Sequence, residues 1–133
     1  NDAPQIAHES SYKVSADFWP QSLSVSSASN RVAVSMFAGF TILDVSEPTT
    51  PVSISSTVGS DGTIHTTEAI FSDDDAFIYS VENSLLTVFS HSSVPGVTLQ
   101  GKRNTGFSFM NFYLTDDGES LVVFQRGGVK IYN

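Results

Sequence analysis

Three histidines, fourteen acidic residues and no cysteine are the groups with which this chain could do chemistry. They concentrate in two places. In "DGTIHTTE" (61–68), Asp61, His65 and Glu68 bring two carboxylates and an imidazole close in sequence, a set that can bind a metal ion or transfer a proton. The same stretch also reads without a site, because Asp61-Gly62 is a turn pair and Glu68 faces away along an extended strand. The second place is the run Asp73, Asp74 and Asp75, set between two strongly apolar segments. Calcium takes about six to eight oxygen ligands, and adjacent aspartates in a hairpin point in different directions, so these read as a turn tip. The only metal alternative left is therefore Asp61, His65 and Glu68. His8, in the N-terminal tail, and His91, in a Ser-rich loop, read as solvated.

Nucleophile and phosphate motifs are missing. No Gly-x-Ser-x-Gly elbow occurs, and "RGGVK" (126–130) has no strand-to-helix context for anion binding. Without cysteine there are no disulfides, thiolate zinc sites or cysteine nucleophiles. No catalytic residue is assigned and no cofactor is implied.

The elements that must carry these residues are strands. Hydrophobic residues make up 40% of the chain and charged residues 15%, and 22 serines supply much of the polar remainder. Short hydroxyl side chains alternating with Val, Ile, Phe and Leu leave one face of a strand free to pack. The alternation repeats. Leu23 and Val25 map to Ala69 and Phe71 at an offset of 46, then to Phe112 and Leu114 after 43 more. Val32 maps likewise to Ile78 and Leu121, and Phe40 and Ile42 map to Leu86 and Val88, then to Val129 and Ile131. A fourth strand follows the first trio at Val52 and Ile54 and the second at Val97 and Leu99, and residues 10–17 stand in the matching place before the first trio.

The expected architecture is all-β: three four-stranded units in the phase d-abc, twelve strands in all, built as β-propeller blades and part of a larger ring. Residues 1–9 form a tail, residues 10–17 a strand, and the blades run over approximately 18–58, 59–103 and 104–133. The period predicts exposed turn tips at 27–30, 73–75 and 116–119. It predicts burial for Val25, Val32, Ile42, Phe71, Ile78, Val88, Leu114, Leu121 and Ile131. Trp19 in the first unit and Phe107 and Phe109 in the third occupy equivalent loops. They are the binding candidates together with His65, although large aromatics more often pack between sheets.

The stretch "GFTILDVSEPTTPVSIS" (39–55), with residues 41–46 and the prolines Pro48 and Pro51, resembles the LVIVD-repeat family of β-propellers. The rhythm of "TEAIFSDDDAFIYSVENSLLTVF" is similar to that of WD-repeat propellers, without their His and Trp-Asp hallmarks. Both resemblances imply a propeller and no particular reaction.

The net charge of −8, with only Lys13 and Arg31 basic in the first hundred residues, opposes nucleic-acid binding. Lys102, Arg103, Arg126 and Lys130, interspersed with Asp116, Asp117 and Glu119, read as ordinary mixed surface. No apolar run approaches the roughly 20 residues of a membrane helix, so membrane insertion is not expected. The opening at Asn1, without Met, reads as the start of a processed or excised chain; the compartment stays open, with an extracellular or cell-surface location favoured. The expected function is a non-enzymatic binding or scaffold module that completes a ring with a protein partner, either a second copy as a homodimer or another chain. The alternative is an enzyme or metal-dependent site at the channel mouth.

Overall fold

The computed structural model describes residues 11–13, 19–37, 39–58, 66–82, 84–91, 97–104, 106, 109–125 and 127–133. Among them are eleven strands and no helix. The first sheet holds β1 (Pro20–Val25), β2 (Arg31–Met36), β3 (Gly39–Asp44) and β4 (Val52–Val58). The second holds β5 (Thr66–Phe71), β6 (Phe77–Glu82), β7 (Leu85–His91) and β8 (Val97–Asn104). The third holds β9 (Phe109–Leu114), β10 (Leu121–Gln125) and β11 (Gly128–Tyr132). Each sheet is an antiparallel meander in chain order. The fourth strand therefore pairs with the trio before it, β4 on β3 and β8 on β7. Among the described residues the third sheet has three strands rather than the expected four, with β11 at one edge. Of the expected strand at 10–17, residues 11–13 carry no strand and the others lie outside the described residues.

Strand pleating sends alternate side chains to opposite faces, and the offsets of 46 and 43 keep those faces in register. Ala33, Phe40 and Ile42 of the first sheet meet Ala69, Phe71, Ile78 and Phe89 of the second. Phe40 and Phe89 touch edge to face, with centroids 5.3 Å apart. On the other face of the second sheet, Val81 and Leu86 meet Phe112, Leu121 and Val123 of the third. The middle sheet is thus covered on both sides.

The two outer faces are not. Val25 is 64% exposed and Ile131 66%, whereas their repeat partners Phe71 and Ile42 are 7% and 0% exposed. Burial was expected at both, and the correction has a simple cause: each occupies the right face of its sheet, but among the described residues no further sheet packs on that face. Val32, Val88 and Leu114 are half-buried. Leu23 shares the open face of the first sheet with Val25. Tyr113, Phe124 and Val129 share that of the third with Ile131, and all are exposed.

Candidate functional site

The turns between the first two strands of each sheet are built to one plan. Ser26 N–H donates to the Arg31 carbonyl, Ser72 N–H to that of Phe77, and Thr115 N–H to that of Ser120, at 2.8–2.9 Å. In the second and third turns an aspartate braces the loop. Asp74 Oδ1 accepts from Ser72 Oγ and Ala76 N–H. Asp117 Oδ1 accepts from Thr115 Oγ1 and Glu119 N–H. The hydroxyl bond first and the backbone bond second hold both carboxyls below the usual aspartate range. The first turn has Ala28 at this position, so Ser26 Oγ instead accepts from the N–H groups of Ala28 and Ser29.

Freed from its own turn, the Ser26 hydroxyl proton goes to the next sheet. Ser26 Oγ lies 2.6 Å from both carboxylate oxygens of Asp75, and Ser29 Oγ donates to the same carboxylate. Ser27 Oγ reaches the Asp73 carbonyl at 3.2 Å. Asp75 sits at φ 58°, the left-handed region that Gly118 takes at 70° in the third turn. Asp tolerates that region better than most residues. Asp73 and Asp74 are exposed tips as expected, but Asp75 is buried, because it clasps the neighbouring sheet.

Beside this clasp, Arg31 Nη1 donates to His91 Nε2 at 2.7 Å. His91, expected to be solvated, is buried at the end of β7, its ring 6.1 Å from Phe71. Burial, and secondarily the Arg31 charge, push its pKa below the ordinary histidine value, against an opposing pull from Asp75. The sequence carries one clue to this cluster: an aspartate at the repeat position where the third turn has glycine.

Of the other named candidates, Glu68 and Trp19 have described side chains. Asp61, His65 and Phe107 lie outside the described residues, as does the side chain of Phe109. Glu68 turns toward the third sheet, where it accepts the Phe112 N–H at 3.3 Å, and half-burial raises its pKa. Trp19 is 74% exposed at the entry to β1. Its carbonyl accepts the Phe37 N–H at 3.1 Å. Among the described residues no group of three His, Cys, Asp or Glu side chains could hold a metal ion.

A cleft of about 300 Å³ opens between the second and third sheets, lined by Tyr79, Leu86, Lys102, Arg103, Leu114 and Tyr132 among others. Its origin is local. In the first sheet a bulge opposite Ile42 and Leu43 pushes Ile54 against the core. At the corresponding bulge of the second sheet stands Gln100, which is exposed and donates to Ser90 Oγ. Beside it, a Cβ on Gly101 would meet nothing within 4 Å. Arg103 crosses the cleft to lie over the Tyr132 ring, 5.2 Å from its centroid.

No protein-family model matches the chain, and no curated protein matches it as a relative. Solved structures do. A crystal structure of a protein from Lactobacillus plantarum superposes with TM-score 0.83 at 21% identity, covering 99% of this chain and 42% of that one. A functionally unknown protein from Desulfotomaculum acetoxidans DSM 771 gives 0.60 at 16% identity, covering 86% and 41%. The periplasmic gluconolactonase PpgL of Pseudomonas aeruginosa gives 0.63 at 15%, covering 87% and 40%. The chain thus spans about two-fifths of the length of each. At these identities the likeness concerns fold alone. The fold is a partial β-propeller.

Proposed function

We propose that this chain is a non-enzymatic binding and scaffold module whose blades work inside a closed ring, completed by a second copy joined head to tail. The observation that carries this reading is the complementarity of the two open faces. Val129 and Ile131 of the third sheet hold the repeat positions with which Phe40, Ile42 and Leu86 meet the sheet that follows them, and from which Val88 lines the cleft. Leu23 and Val25 of the first sheet hold the positions at which Ala69, Phe71, Phe112 and Leu114 meet the sheet before them. A second copy offers each open face the kind of surface it meets elsewhere in the repeat. Two copies make six blades, within the usual range of about four to eight. Residues 10–17 of the partner would then add to the edge of β11 as a fourth strand. The LVIVD likeness of residues 39–55 agrees with a propeller role tied to no single reaction.

Light scattering tests this. A dimer is expected, reduced to a folded monomer by Ile131→Glu or by deleting residues 1–17. A wild-type chain that stays monomeric at high concentration overturns the homodimer and favours blades supplied by a different polypeptide. The enzymatic alternative would use Asp61, His65 and Glu68, and the lactonase among the structural neighbours makes lactone hydrolysis its natural assay. Turnover lost on His65→Ala would overturn the non-enzymatic reading.

A further inference from the structure

Arg31 opens β2 in the first sheet, His91 closes β7 in the second, and their side chains meet across the interface. A guanidinium carries only donors. The 2.7 Å contact is therefore a hydrogen bond only while His91 Nε2 keeps its lone pair. His91 is 7% exposed and Arg31 half-buried, so water screens the pair only in part. The charged groups around it are Arg31 from β2 and Asp75 from the turn between β5 and β6. The Asp75 carboxylate is already engaged by the hydroxyls of Ser26 and Ser29. Asp44, whose charge Arg31 also feels, lies opposite Arg31 on β3. The backbone on either side is tied into the same region: Val45 N–H donates to the Asn30 carbonyl and His91 N–H to that of Ala76.

We infer that the Arg31–His91 pair is an acid-release clasp. A proton taken from solvent onto Nε2 removes the acceptor for Arg31, sets two cations in contact inside the interface, and loosens the first sheet from the second. The folded imidazole resists this proton because of burial and the Arg31 charge, whereas the unfolded one accepts it near 6.5. The interface therefore has its full stability above that value and loses it as the pH falls from there toward the lower folded pKa. The transition lies below the ordinary histidine value and acts on one interface only, because Arg31 and His91 belong to the first and second sheets.

NMR on the full chain, with His8→Gln and His65→Gln removing the other imidazoles, gives the test. The His91 ring is expected to titrate with a midpoint below 6.5. Between pH 7.5 and 5, protection of the Val45 and His91 amides against hydrogen exchange is expected to fall, with the drop following the His91 ring titration. The amides pairing β9 with β10 are expected to hold. His91→Gln, whose side-chain carbonyl can still accept from Arg31, should abolish the selective loss. The inference is overturned by a midpoint at or above 6.5, by a loss spread evenly over all three sheets, or by a His91→Gln chain that keeps the same drop. Should that variant not fold, the ring titration and the location of the loss decide alone. Neither depends on whether the chain dimerises, since the clasp lies within one copy.

Discussion

The two interfaces inside this chain are made by the same repeat, yet they are held differently. Between the first and second sheets an apolar layer with the Phe40–Phe89 pair is flanked by polar links: Ser26 and Ser29 to Asp75, Ser27 to the Asp73 carbonyl, and Arg31 to His91. The fourth strands β4 and β8 also touch there, and Ile54 closes the space beside them. Between the second and third sheets the apolar layer is similar in kind. Its polar links are the Phe112 N–H on Glu68 and the Arg103 cation over Tyr132, and a cleft stands where the first interface has Ile54. Shared strand positions thus make the layers, while individual turn and bulge residues decide how tightly each is closed.

Removing an aromatic from either layer should give the largest effect. Phe40→Ala is expected to cost about 3–5 kcal/mol in chemical denaturation, the range for emptying a buried aromatic site. Phe112→Ala should cost less than Phe40→Ala, because the adjoining cleft gives the second interface room to relax. Equal losses would mean that the polar links and Ile54 do not tighten the first interface. Asp75→Ala comes next, at about 1–3 kcal/mol, since it strands the Ser26 and Ser29 hydroxyls and places Ala in the left-handed region. Asp74→Asn keeps an acceptor for Ser72 and Ala76 and should leave the melting temperature unchanged. Indistinguishable melts for these two variants would erase the distinction between clasp and turn tip.

The interfaces should also respond to pH in opposite directions. Burial holds the Glu68 carboxyl above the usual range near 4.5, despite the opposing Phe112 bond, so the folded state binds the proton more readily than the unfolded chain does. Its contribution is present below that value and lost as the pH rises through the folded pKa. Acidification from neutrality should therefore strengthen the Glu68 side while weakening the His91 side. Glu82, also raised by burial, shares the sign of Glu68. Glu68→Gln should raise the melting temperature at pH 7 and leave it unchanged at pH 4. A rise of equal size at both pH values would show that charge is not the cause. A small gain is expected at the cleft: Gly101→Ala has open space and should stabilise by about 0.4–1 kcal/mol, mainly by restricting the unfolded chain. Destabilisation would mean that a neighbour fills this space in solution.

How far these features could be read in advance follows from their range along the chain. The strands and their inward registers were legible because period-2 alternation is local and the repeat supplied three readings of each position. Val25, Phe71 and Leu114 do occupy equivalent faces. That Asp74 braces its own turn also follows from neighbours in sequence. The clasp was not legible in the same way, because Ser26 and Asp75 lie 49 residues apart, and Arg31 and His91 60.

The sequence by itself determined an all-β chain, the repeat, the faces of the strands and the chemistry of the turns, because those depend on backbone preference and on neighbours a few residues away. Only the tertiary structure decided which of three equivalent positions is buried, which of three consecutive aspartates reaches the next sheet, and that His91 leaves water. Each of those outcomes depends on what stands opposite, and a residue's opposite number is supplied by a different sheet.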